Sequence, residues 1–147
     1  MPQLVYPIDP DGLLVDVVVG LRGLTTARQL AAGQPITAPL RARGAIDTGT
    51  DVTAVSAALL QRLGVASSNK KTTQTVSGQL TVQMFVVSVG VTNFGDPAAP
   101  GLVEPDLTVM ELVTVLPRAI EVLIGLDILR SCKFLLDGPA GWFSLDF

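Results

Sequence analysis

Apolar residues in this chain fall mostly in short runs separated by turn residues, which is a β pattern. Leu13–Leu21, rich in Val and Leu, predicts a buried strand, and Ile36–Ile46 predicts a second. Leu80–Val91 alternates and predicts a long strand; Leu107–Val115 and Ile120–Leu123 predict two more. Lys133–Leu136 and Trp142–Phe147 predict a pair around the Gly138-Pro139-Ala140-Gly141 turn. Helical spacing is clearest at Ser56–Gly64. There Leu59, Leu60 and Leu63 share one face, Ser56 suits the N-cap and Gly64 the C-terminal stop. These leucines read as core. A shorter helix is expected at Asp127–Ser131.

The remaining stretches lack such periodicity. Met1–Pro10 holds three prolines and reads as an irregular arm. Asp9-Pro10-Asp11-Gly12 is turn chemistry; the later ligands of a calcium loop are missing. In residues 22–35, Thr25 or Thr26 caps one or two helical turns that Gly33 ends. Val65–Thr75 reads as polar and flexible, Ser77-Gly78 as a hairpin tip, and Asn93–Pro105 as a surface loop. The expected organisation is an arm over residues 1–12 and one all-β domain over 13–147 with one or two short helices.

Composition narrows the chemistry. A charge of −3 with scattered basic residues does not suit a nucleic-acid binder. No apolar run is long enough to span a bilayer; Leu13–Val19 is interrupted by Asp16. No basic-then-apolar leader begins the sequence, so a cytoplasmic location is expected. With no histidine, Ser-His-Asp and Cys-His mechanisms and histidine zinc sites are excluded. Cys132 alone makes neither a disulfide nor a thiolate cage and reads as a structural thiol. Without a Gly-rich phosphate loop either, no cofactor or metal is expected, and carboxylate chemistry is what remains.

The chemistry centres on Ile46-Asp47-Thr48-Gly49-Thr50, a carboxylate between a strand and a tight turn. Backbone placement of this kind suits catalysis, and Gly49 allows the sharp turn. The stretch resembles the apolar-Asp-Thr-Gly signature of aspartic proteases. Val122-Leu123-Ile124-Gly125-Leu126-Asp127-Ile128-Leu129 resembles the apolar-apolar-Gly-x-Asp-x-Leu segment of retropepsin-like proteases. Thr73–Gln79, between the two, occupies the place of the flap. The resemblance runs over roughly residues 12–147 and is loosest in 22–35 and 92–106, which read as insertions.

That resemblance implies a retropepsin-like closed β-barrel or sandwich that works as a homodimer. The mechanism needs two facing carboxylates, and this chain offers one such Asp, so the second is Asp47 of a symmetry mate. By the same resemblance, the Thr48 hydroxyl binds the partner's backbone and Gly49 turns its N–H toward Asp47. Ile124 and Gly125 pack under the Asp turn. Thr50 stands where Ala or Ser is commoner, and its hydroxyl is expected to donate to the outer oxygen of Asp47. Thr75, Val76, Ser77 and Gly78 are expected to form the tip of a hairpin that covers an extended peptide. Pocket walls of Val, Ile and Leu would favour apolar side chains around the cut. Asp51 reads as a polar neighbour of the groove or dimer contact, and Asp127 as a helix cap or an arginine partner. Trp142–Phe147 is expected to be a dimer strand, with an ordinary core strand as the alternative. Beside an endopeptidase stand two other readings: a retropepsin-like module that binds peptides without cutting them, and a structural β-domain with a chance triplet.

Overall fold

A computed structural model describes residues 1–147. Its strands are β1 (Gln3–Pro7), β2 (Leu14–Leu21), β3 (Leu40–Ile46), β4 (Ala54–Ser56), β5 (Asn69–Thr75), β6 (Gly78–Thr92), β7 (Leu102–Leu112), β8 (Ile120–Ile124), β9 (Lys133–Asp137) and β10 (Trp142–Asp146). The helices are α1 (Gly23–Ala31), α2 (Ala57–Leu63) and α3 (Leu126–Leu129).

Six strands, in the order β2-β3-β8-β4-β7-β6, close into a barrel through a β2–β6 pairing. Closure removes sheet edges, and the alternating apolar residues fill the inside. Val17, Val19, Val55, Val87, Val89, Val91, Val109 and Val122 are wholly buried there, as β-branched strand residues should be. Helix α2 forms as expected. The Ser56 hydroxyl accepts from the Leu59 N–H at 3.1 Å, Gly64 ends the helix at φ +75°, and all three leucines are buried.

Strand β8 lies between β3 and β4, parallel to the first and antiparallel to the second. The loop joining β3 to β4, which carries Asp47, must therefore cross the end of β8. That crossing sets the position of the candidate site.

Several segments depart from the sequence reading. Ile36–Pro39 is not strand, because Pro35 and Pro39 cannot serve a ladder; β3 begins at Leu40. Helix α1 starts earlier than Thr25, after Arg22, and buries none of its residues. Residues 69–75 form a strand that pairs along β6 by its backbone. Their polar side chains gave no alternation because this hairpin arm stands off the barrel. Strand β7 begins at Leu102 and carries Pro105 inside it. Leu107 pairs with Val87 and Glu104 with Val89, so Pro105 and Asp106 bulge opposite Ser88, where a missing N–H is harmless.

The N-terminal segment is not an irregular arm. β1 pairs with β10, and β10 with β9, in a second sheet of order β1-β10-β9. Pro2 and Pro7 stand at the ends of the strand and so leave it intact. Leu4, Tyr6, Phe143 and Leu145 are buried, with the Tyr6 and Phe143 rings stacked 5.2 Å apart. The Tyr6 hydroxyl donates to the Thr92 carbonyl, tying this sheet to β6. Burial, with the charge of Asp16 beside it, pushes the Tyr6 phenol well above its ordinary pKa. Because β1 and β9 take both sides of β10, the expected dimer strand is a core strand of its own chain. No helix is long and apolar enough to cross a membrane.

Candidate active site

Asp47 follows directly on β3 and is half-buried. Its backbone N–H donates to the Ile124 carbonyl at 2.9 Å, continuing the parallel β3–β8 ladder in which Ile46 faces Ile124. Its carboxylate Oδ1 accepts from the Gly49 N–H at 2.9 Å, closing an Asx turn over Thr48. The carboxylate is thus oriented by one backbone N–H of its own loop. Thr48 and Gly49 are exposed at the loop tip.

Thr50 does not do what the sequence suggests. Its hydroxyl donates to the Val52 carbonyl at 2.9 Å, two residues on, and makes no bond to Asp47. A local backbone acceptor wins because the chain bends back at this point to enter β4.

Gly125 is the fixed point under the loop. A β-carbon built there would lie 2.9 Å from the Val52 carbonyl carbon and 3.0 Å from both Thr50 O and Thr53 N. Only a residue without a side chain lets the Asp47 loop cross the end of β8 so closely. Just beyond, the Leu126 N–H donates to Thr50 O at 2.9 Å and the Asp127 N–H to Asp51 O at 3.2 Å. Ile124 is wholly buried and takes the Asp47 N–H on its carbonyl, while Gly125 packs against Thr50, Val52 and Thr53 of the same loop.

One residue that holds this crossing was missed in the sequence. Thr53 is fully buried; its hydroxyl donates to Asp127 Oδ1 at 2.6 Å and accepts from the Gly125 N–H at 3.0 Å. Its own N–H donates to Asp127 Oδ2 at 2.9 Å. Asp127 does not pair with an arginine; its carboxylate clamps the loop that enters β4, and its Oδ1 also accepts from the Ile128 N–H at 2.9 Å in the first turn of α3, whose N-cap residue is Gly125. The only local signals were Asp127 itself and Arg130 three residues on, which pointed to a helix cap or an ion pair. The polar partner lay far off in sequence.

The β5–β6 hairpin turns at Val76-Ser77, with Thr75 paired to Gly78 and Gly78 at φ +124°. The Thr75 hydroxyl donates to the Gly78 carbonyl at 2.8 Å, stiffening the tip, and Val76 is wholly exposed. Between this hairpin and the Asp loop lies a cleft of about 390 Å³. Gly49, Thr50 and Asp51 line one wall, Lys71, Thr73 and Thr75 the other. In the single chain only Val52 and Met110 are apolar there, so the expected Val, Ile and Leu walls are not found. A larger cleft, of about 490 Å³, lies away from Asp47 between α1 and the end of α2. Its Gln29 is already bonded to Thr37.

Cys132 takes no part in the site. Its thiol is held above the usual range by burial and by the charge of Asp146, and its Sγ–H donates to the Leu129 carbonyl. No group of His, Cys, Asp and Glu is clustered as metal ligands would be.

No family model and no curated protein matches the sequence. Among solved structures, the chain is similar to a retropepsin-like aspartic protease from Rickettsia conorii, with a TM-score of 0.58 and 15% identity over 97% of this chain and 89% of that one. Lower likenesses link it to EIAV protease complexed with the inhibitor HBY-793 (TM-score 0.45, 17% identity, 86% of this chain and 95% of that one). A further one is the retroviral protease-like domain of Ddi1 from Leishmania major (TM-score 0.43, 13% identity, 92% and 94%). At such identities a likeness speaks for fold and not for activity. The Rickettsia match follows nearly the whole chain, so this protein has the retropepsin-like fold.

Proposed function

We propose that the protein is an aspartic endopeptidase whose active site forms between two copies of the chain. The observation that carries this reading is the Asp47 carboxylate, oriented at 2.9 Å by the Gly49 N–H, on a loop that borders a cleft under a hairpin. A lone carboxylate cannot both accept and donate in the same step. Two copies of Asp47 about 3 Å apart share one proton, because like charges so close do not both ionise. The ionised oxygen takes a proton from a bound water, which attacks the peptide carbonyl. The protonated partner polarises that carbonyl, and protons then pass to the leaving amine. No covalent intermediate arises, consistent with a chain lacking an activated nucleophile.

In this reading the exposed Thr48 hydroxyl binds backbone of the partner across the two-fold axis. Thr75, Val76, Ser77 and Gly78 close over an extended peptide whose main chain adds to the hairpin as a strand. The polar cleft walls leave much of the recognition to that main chain.

The test is incubation with a random peptide library, wild type beside Asp47→Asn, with and without pepstatin. Wild type is expected to cleave, and both the Asn variant and pepstatin to abolish cleavage. Cleavage that survives the Asn change would rule this mechanism out.

A further inference from the structure

Two charged side chains stand on the walls of the cleft between the Asp47 loop and the hairpin: Asp51 on the loop and Lys71 on β5. They do not reach each other. Neither belongs to the three ion pairs of the chain, Arg22–Asp106, Arg62–Glu121 and Arg118–Asp11. The cleft also borders the reacting group, since Gly49 in its lining donates its N–H to the Asp47 carboxylate.

Strand register puts Lys71 there. It pairs with Val82, which is buried, so it lies on the inward face of the hairpin. Thr73 and Thr75, two and four positions on, line the cleft from the same face. Lys70 pairs with exposed Gln83, points the other way and does not line the cleft. Both lysines guard β5, an edge strand, against stray pairing. Edge protection is indifferent to the face a lysine takes, whereas the cleft has Lys71 as its one positive charge.

We propose that Lys71 selects peptides bearing an acidic side chain at a position flanking the cut. The inference rests on the endopeptidase reading above and names a substrate class for it. A hairpin closed over a bound peptide withdraws water from the Lys71 ammonium. A peptide carboxylate then gives that ammonium a partner. An apolar side chain leaves it unpaired, and a basic one adds repulsion. The threonine hydroxyls of the lining can bond an acid and its amide alike; the ammonium is what separates the two.

The test reads which bonds are cut. Products of the random peptide library are sequenced by mass spectrometry at low ionic strength, where charge selection is least screened. For wild type, Asp and Glu are expected to be enriched at least about fivefold over Asn and Gln at one flanking position. Lys71→Glu is expected to turn that position to Lys and Arg, and Lys71→Gln to erase the preference. Lys70→Glu makes the same change of net charge on the opposite face and is expected to keep the wild-type preference. Wild-type cleavage without acidic enrichment would overturn the inference and leave the endopeptidase reading standing. An enrichment that survives both Lys71 changes would do the same. So would a Lys70→Glu variant that shifts the preference as far as Lys71→Glu, because net charge alone would then suffice. A wild-type chain that cleaves no peptide would overturn both.

Discussion

At the scale of single residues, the loop carrying Asp47 is held by groups that do no chemistry themselves. Thr53 joins the Gly125 N–H to the Asp127 carboxylate through one hydroxyl in a fully buried position. Thr53→Val keeps the shape but leaves that N–H without an acceptor and Asp127 short of one donor. A loss of about 1–3 kcal/mol in urea unfolding is expected, because a buried polar group left unpaired costs its full desolvation. Thr50 behaves differently. Its hydroxyl is spent on Val52 O, so Thr50→Ala should lower stability by only about 0.5–1.5 kcal/mol. The acidic limb of the pH–rate profile should stay where it is; an upward shift of that limb would mean that the hydroxyl reaches Asp47 after all.

At the scale of elements, the decisive event is one loop crossing one strand end. β8 separates β3 from β4, and Gly125 is where the connecting loop passes over it. Gly125→Ala would drive a β-carbon to 2.9 Å from the Val52 carbonyl carbon, where a backbone has little room to retreat. Overpacking of this kind costs roughly 1–3 kcal/mol or more. Unfolding midpoint and kcat/KM are both expected to fall, the second further than the first, since the loop that moves is the one bearing Asp47. The outer end of the hairpin, β5 with residues 78–81 of β6, illustrates the opposite regime: it is held by backbone pairing with no buried side chain, so substitutions at exposed Val76 should leave the melting temperature unchanged.

At the scale of the whole molecule, the barrel and the terminal sheet are fastened together at Tyr6. Its buried phenol is held protonated well above its ordinary pKa of about 10 by desolvation first and Asp16 second. Below that ordinary value the phenol is neutral in both folded and unfolded chains, and its contribution is complete. As pH rises past it, the unfolded chain gives up a proton that the folded chain retains, so stability falls. The melting temperature is expected to drop between pH 9 and pH 11, and Tyr6→Phe should flatten that drop while lowering stability at neutral pH through the lost bond to Thr92. A wild-type slope matched by the Phe variant would place the alkaline sensitivity elsewhere.

The sequence alone determined whatever depends on neighbours in the chain. Periodicity placed β2, α2, β8 and the β9–β10 hairpin, Ser56 and Gly64 marked the ends of α2, and Ile46–Thr50 with Ile124-Gly125 marked a candidate site. These are local signals: spacing on one face, a capping hydroxyl, a glycine where the chain turns. Tertiary structure decided what rests on partners far along the chain. It made a strand of the proline-bracketed N-terminus because β10 offered an edge, and of polar residues 69–75 because β6 did. It turned Thr50 toward Val52, paired Asp127 with Thr53, and enclosed the last strand between β1 and β9. A hydrogen-bond donor or a strand edge has no preference for any one acceptor until the fold brings a particular one within reach, and that choice is made by three-dimensional crossing and not by order along the chain.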